Sequence, residues 1–212
     1  MTTLLRGIGL RLLRHRAEGI ARRLRPHLPA ADPLLDVGSG TGHLQQALRP
    51  RRVHGVDVSS LTMTGEPSVL FDGHRLPLAT DSCGAVSLVH VLHYVDEPVS
   101  LLSETARVSR GPVLVLQSCF ATGFGRAWLV LRERVTGWLF FHVARLVGLL
   151  PMRARYSLTT RTFLSRRHVL ALAGQAGLAP ARLEVSAGDR VGLSRDLFVF
   201  EPASGSASVS PS

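Results

Sequence analysis

The chain has 212 residues, of which 45% are hydrophobic and 19% are charged. This composition predicts one globular domain and excludes both a disordered chain and a small disulfide scaffold, since the chain has only 2 cysteines. The formal net charge is +10, and all 25 Lys and Arg residues are arginine. Because arginines interrupt residues 1–25, we expect no signal peptide there. We therefore expect a cytoplasmic protein.

The positive charge is concentrated in two segments of the chain. Residues 1–25 hold seven arginines and one acidic residue, residues 126–167 hold nine arginines and one acidic residue, and the remainder has a net charge of −4. Such segments are typical of surfaces that face nucleic acid, anionic lipid or an anionic substrate, although solvated faces show the same pattern. The longest uncharged stretch within the apolar part of the second segment, residues 135–144, is too short to span a membrane.

The first half of the chain is predicted to alternate between strands and helices. A basic helix in residues 1–25 comes first. The elements that follow are a strand from Leu34, a helix at His43–Leu48, and strands at Val53–Val58, Ser68–Asp72 and Ala85–Val89. The connection from Ser59 to Ser68 is shorter than an ordinary crossover helix, so we expect a turn there.

The second half continues this alternation around an apolar, arginine-rich insertion. Its predicted elements are a helix at Pro98–Val108, a strand at Pro112–Ser118, a helical lid insertion at 119–160, a helix from the N-cap Ser165 to Gly177, and a closing strand pair in 181–188 and 193–201. Residues 203–212 are rich in Ser, Gly and Pro and are predicted to be a disordered tail. We expect residues 1–202 to form a single α/β domain with a mostly parallel sheet.

The most specific motif is LLDVGSGTGHL, in which Gly38, Gly40 and Gly42 join the first strand to the next helix. Glycines allow a tight turn there and let a ligand contact bare backbone near the amides that begin the helix. Asp57 ends the second strand, where a carboxylate can accept hydrogen bonds from both hydroxyls of a ribose. Together these residues predict a site for an adenosyl group.

Two kinds of adenosyl cofactor compete for this geometry. A dinucleotide would favour a third glycine at the position that His43 occupies. The carboxylate of Asp36, directly before the glycines, would repel a pyrophosphate but suits the ammonium group of a methionine tail. The motif therefore favours S-adenosylmethionine.

With these residues, the chain resembles the class I S-adenosylmethionine-dependent methyltransferases, most closely their type-11 group of small-molecule enzymes. The resemblance covers residues 34–118, continues more weakly through 163–180 and leaves 120–160 unmatched. It implies a Rossmann-like, doubly wound sheet of seven strands, mostly parallel with the last strand antiparallel. It also implies S-adenosylmethionine as the cofactor, and no metal is expected.

The resemblance carries the cofactor-binding roles onto particular positions. The implied residues are Asp36, Gly38, Ser39, Gly40, Asp57, Val58, Asp72, Gly73 and His90. Those of the glycine loop would cradle the methionine moiety, and those that end the second strand would bind the ribose. The pair after the third strand would lie beside the adenine, and the histidine would close the pocket near the methyl donor.

His90 is also the candidate catalytic residue. Methyl transfer needs an aligned nucleophile and the exclusion of water, and it needs a base only when the nucleophile arrives protonated. His90 is expected to act as that base or to orient the acceptor, with a purely pocket-lining role as the alternative. For His93 and Tyr94, packing is the favoured interpretation.

The insertion and the N-terminal helix are implied to cover the pocket, so we expect them to select the acceptor. Their leucines and aromatic residues, rimmed by arginine, favour a small apolar or lipid-like acceptor. An RNA methyltransferase and a non-catalytic methyltransferase-like domain are the alternatives, and nucleic acid is the less favoured partner because the aromatic residues lie among leucines. A peripheral membrane contact through residues 126–150 is possible from the sequence. The insertion can form one helix or two helices broken at Gly137. The sequence leaves open which acceptor atom is methylated and what the oligomeric state is.

Overall fold

The computed structural model describes residues 2–30, 32–146, 160–186 and 192–203. The strands are β1 (Leu34–Val37), β2 (Val53–Asp57), β3 (Ser68–Leu70), β4 (Ala85–Val89), β5 (Val113–Phe120), β6 (Leu178–Glu184) and β7 (Leu193–Pro202). The helices are α1 (Thr2–Leu24), α2 (His43–Ala47), α3 (Pro98–Val108), α4 (Gly123–Leu146) and α5 (Arg166–Gln175), with 3-10 turns at Arg25–His27 and Leu92–Tyr94. None of the described helices is long and apolar enough to cross a membrane.

The strands form one sheet in the order β3-β2-β1-β4-β5-β7-β6. Among these described strands, only β7 runs in the direction opposite to the other six, because it pairs antiparallel with both β5 and β6. The predicted fold class, a seven-stranded and mostly parallel α/β sheet with an antiparallel last strand, is confirmed. The strand order reverses between β1 and β4, and open parallel sheets bind ligands at the carboxyl ends of the strands that flank such a point.

Helices cover both faces of the central strands β1, β4 and β5, which are buried, whereas the edge strands β3 and β6 are largely exposed. Successive residues of each strand point to opposite faces of the sheet. Leu35 and Val37 of β1 pack in the core cluster that holds residues of α3 and α5, whereas Leu34 packs with residues of α1 and α2. Each fully buried side chain of this kind contributes roughly 1.5–3 kcal/mol. Two helical layers therefore hold the sheet rigid and fix the positions of its strand ends.

The connections agree with the sequence expectations where the structure describes them. The link between β2 and β3 contains no helix, as expected from its length. Ser165 caps α5 as predicted, since its Oγ accepts the backbone N–H of His168 at 3.3 Å. The segment after β5 forms one helix that passes through Gly137 without a break, and residues 147–159 of the predicted lid and 204–212 of the predicted tail lie outside the described residues.

Candidate functional site

The glycines after β1 meet two different needs. Gly38 has φ +71°, and a Cβ built on it would lie 2.5 Å from Cγ2 of Val91, so this glycine permits close packing. Gly40 has φ +53°, and the nearest atom to its Cβ position would be the carbonyl oxygen of Gly38 at 3.9 Å. Of the two, only Gly40 has open space beside it through which a ligand can approach the backbone.

Asp57 holds the glycine loop in place. Its Oδ2 accepts the N–H of Gly40 at 2.8 Å, and its Oδ1 accepts the N–H of Ser59 at 3.0 Å. Oδ1 also accepts the Ser59 hydroxyl at 3.2 Å, so room for a ribose hydroxyl remains at Oδ2. Asp57 therefore has a positioning role that the sequence did not reveal, and its predicted ribose contact stays a prediction.

Asp36 is a buried carboxyl group at the end of β1, only 2% exposed. The Ser87 hydroxyl donates a hydrogen bond to its Oδ1 at 2.8 Å. Burial raises the pKa of Asp36 to about 7, and the nearby charge of Asp57 adds to this rise. A cationic ligand group beside Asp36 would offset the cost of ionising it, so the position suits an ammonium ion.

A cavity of about 550 Å³ opens at the carboxyl ends of β1 and β4. Its walls come from α1, the glycine loop, α2, the end of β4, the following 3-10 turn, α4 and β7. Asp36, Gly38, Ser39, Gly40 and His90 line this cavity, so the fold brings these five predicted residues together. The volume is in the range of sites for small ligands.

The other four predicted residues do not line the cavity. Asp57 lies behind the glycine loop, and Val58 is 65% exposed at the end of β2. Gly73 adjoins Val58, since a Cβ on Gly73 would lie 3.3 Å from the Val58 Cγ1. The exposed Asp72 shapes its turn by accepting the backbone N–H groups of His74 and Arg75 at 2.8 and 2.9 Å. Their predicted adenine and ribose contacts stay predictions.

His90 follows β4 in a left-handed backbone conformation with φ +56°, which is uncommon for a residue with a side chain. Its N–H donates to the carbonyl oxygen of Leu116 at 2.8 Å, and this bond anchors the turn. Burial, followed by the positive charges of Arg16 and other basic neighbours, lowers the pKa of His90 well below its usual value. The imidazole is therefore neutral at pH 7 and can accept a hydrogen bond.

His93 and Tyr94, interpreted from the sequence as packing residues, also line the cavity. The His93 Nδ1 lies 3.0 Å from the amide Nε2 of Gln117, and the His93 and Tyr94 rings are 3.9 Å apart. Burial lowers the pKa of His93 and raises that of Tyr94. Both residues therefore pack against their neighbours and also form the part of the cavity wall next to His90.

Three arginines from distant parts of the chain meet at this cavity. Arg16 comes from α1, Arg132 from α4 and Arg195 from β7. Glu133 of α4 also lines the cavity and pairs with Arg132 at 2.9 Å. The basic segments 1–25 and 126–167 already indicated Arg16 and Arg132. No local pattern marked Arg195, because only the pairing of β7 with β5 brings it to the cavity.

Comparison with known proteins agrees with this geometry. Residues 35–114 match the sequence model described as "Methyltransferase domain", which covers β1 through the start of β5. The glycine loop and Asp57 both fall inside the matched range. No curated protein matches the chain.

Solved structures share the fold at low sequence identity. A geranyl diphosphate methyltransferase in complex with S-adenosylmethionine is 16% identical with a TM-score of 0.65, covering 95% of this chain and 90% of that chain. A methyltransferase from Thermotoga maritima is 16% identical with a TM-score of 0.61, and the match covers 95% of this chain and 97% of that chain. The [4+2]-cyclase SpnF is 14% identical with a TM-score of 0.62, and the match covers 89% of this chain and 82% of that chain. These similarities show the fold.

Proposed function

We propose that this chain is an S-adenosylmethionine-dependent methyltransferase that transfers a methyl group to a small apolar acceptor. Its fold and the match of residues 35–114 to a methyltransferase domain support the proposal. The observation that carries the proposal is the open backbone at Gly40, which bonds to the carboxylate of Asp57 and lines the same cavity as the carboxylate of Asp36. This arrangement suits a ligand with a cationic amino-acid end and a ribose. Three similar structures of geranyl diphosphate methyltransferases contain S-adenosylmethionine or S-adenosylhomocysteine.

S-adenosylmethionine, when bound, supplies an activated methyl group on a sulfonium centre. Asp36 would hold the ammonium end, the bare backbone at Gly40 would accommodate the methionine chain, and the Oδ2 of Asp57 would accept a ribose hydroxyl. The walls from α1 and α4 would exclude water above this position. The chain would thus act mainly by alignment, which can supply much of the rate enhancement of a displacement reaction.

His90 would serve the acceptor rather than the cofactor. Because its imidazole is neutral, it can accept a hydrogen bond from an acceptor O–H or N–H. Full proton transfer to His90 is opposed by Arg16 and its basic neighbours while the cavity holds no anion. An anionic acceptor would weaken that opposition, so binding of the acceptor would itself make His90 a better base.

The acceptor is proposed to be apolar with an anionic group. Leu13, Ala17 and Ile20 of α1 give the cavity an apolar wall. Burial and the nearby charge of Arg195 lower the pKa of Arg16, so the two guanidinium groups oppose each other until an anion lies between them. The similar geranyl diphosphate methyltransferase is named for an acceptor of this kind, with an apolar chain and an anionic end.

Binding of S-adenosylhomocysteine tests the proposed cofactor site, and its pH dependence tests Asp36. Because the pKa of Asp36 is about 7 in the free protein and the ammonium group prefers the ionised carboxylate, affinity should fall as the pH drops. We expect about a tenfold loss between pH 8 and pH 6 in calorimetric titrations. In Asp36→Asn the affinity should be low and independent of pH. Absence of any binding at pH 8 would instead favour the non-catalytic alternative.

Inorganic pyrophosphate can test the arginine cluster before the acceptor is known. In the presence of S-adenosylhomocysteine, pyrophosphate should raise the melting temperature of the protein. Arg195→Gln should weaken this effect by more than about tenfold in pyrophosphate concentration, because a charge-assisted contact is lost. Arg22→Gln, which removes an exposed charge of α1 outside the cavity, is the matched control and should change little. Equal effects of the two substitutions would show that the arginines act only through net charge.

A further inference from the structure

An exposed apolar stripe runs along α4. It consists of Phe124, Trp128, Leu131, Val135 and Trp138, all between 43% and 67% exposed. Their spacings alternate between four and three residues, which places these side chains on one face of the helix. Contiguous exposed apolar surface of this kind marks an interaction site.

The stripe points away from the body of the protein. Leu129 of the same helix is buried, and Glu133, one turn further on, lines the cavity. These two residues lie on the side of α4 opposite to the centre of the stripe. The apolar face is therefore not needed to attach α4 to the sheet, and among the described residues its large side chains stay accessible.

The charges around the stripe select the kind of partner. The exposed Arg134 flanks the stripe on α4, and α1, which lines the same cavity as α4, carries exposed arginines at 6, 11, 14 and 22. The acidic residues of the two helices are Glu18 and Glu133. A second copy of this chain would bring like charges together, whereas an anionic lipid surface would meet both the arginines and the apolar side chains.

We infer that the stripe docks this protein peripherally on an anionic lipid bilayer. The apolar side chains enter the interface between headgroups and acyl chains, where tryptophan is favoured, and Arg134 together with the exposed arginines of α1 contacts the headgroup phosphates. Docking places α4, whose opposite side lines the cavity, at the bilayer surface, and so holds the site close to apolar acceptors dissolved in the lipid. The lipid contact itself does not depend on methyl transfer.

The sequence provides a direct probe of this contact, because Trp128 and Trp138 are the 2 tryptophans of the chain. The full-length protein is mixed with vesicles of phosphatidylcholine alone or of phosphatidylcholine with phosphatidylglycerol. With the anionic vesicles we expect co-sedimentation, a blue shift of the tryptophan fluorescence and quenching by brominated acyl chains. Raised salt should weaken binding because the headgroup contacts are screened.

Substitution of the stripe separates docking from the proposed activity. The double variant Trp128→Gln, Trp138→Gln should lose about tenfold or more in affinity for anionic vesicles, while its affinity for S-adenosylhomocysteine stays unchanged. Val69→Gln, which removes an exposed apolar side chain of β3, is the matched control and should bind vesicles normally. Failure of the parent to bind anionic vesicles, or equal binding by the double variant, would overturn the inference. So would a dimer in sedimentation that the double variant abolishes.

Discussion

Asp57→Ala is expected to lower the affinity for S-adenosylhomocysteine by more than tenfold. The reason is that each hydrogen bond lost to a charged group costs roughly 1.5–3 kcal/mol of binding free energy. Two effects combine in this variant. The ribose would lose its acceptor, and the glycine loop would lose the carboxylate that holds the N–H groups of Gly40 and Ser59 at 2.8 and 3.0 Å. The free protein should therefore also melt at a lower temperature.

The comparison with Asp57→Asn separates these two effects. The amide keeps the size of the side chain and one oxygen that can accept from one of the two backbone groups. Its melting temperature and its affinity should fall between those of the parent and of Asp57→Ala. Calorimetric titration measures the affinity, and thermal unfolding of the free protein measures the stability. An Asp57→Ala variant that binds as tightly as the parent would remove Asp57 from the site.

Gly40→Val is expected to abolish detectable cofactor binding while the protein still folds. The left-handed φ of +53° costs a residue with a side chain about 1–2 kcal/mol, but no protein atom lies closer than 3.9 Å to the Cβ position. The isopropyl group would instead fill the space next to the open backbone. Titration with S-adenosylhomocysteine, together with circular dichroism, checks both parts of this expectation.

Gly38→Ala is the matched control for the glycine loop. Its Cβ would lie 2.5 Å from the Cγ2 atom of Val91, and its φ is also left-handed at +71°. We expect this smaller substitution to destabilise the fold more than Gly40→Val does, since Val91 or the loop must move. If Gly38→Ala were the more stable variant and Gly40→Val still bound cofactor, the division of roles between the two glycines would be wrong.

Local sequence patterns predicted the structure correctly wherever a residue's role depended on its immediate neighbours in the chain. The buried apolar strands, the glycine loop and the Ser165 cap are of this kind, and all three are present in the structure. The β6 strand was harder, because it begins at Leu178, ahead of the predicted 181–188, and only its pairing with β7 sets its ends. The continuity of α4 through Gly137 was likewise open, since a single glycine weakens a helix without ending it.

The sequence by itself determined the fold class and the carboxylate and glycine positions that would hold a cofactor, because hydrophobic period and glycine conformation are local properties. Only the tertiary structure decided that Asp57 already supports the loop, that burial raises the pKa of Asp36, and that Arg16, Arg132 and Arg195 share one cavity. It also divided the apolar residues of α4 between a buried side and an exposed stripe. These features arise from strand order and helix docking, which join residues far apart in the chain, so no local pattern could show them.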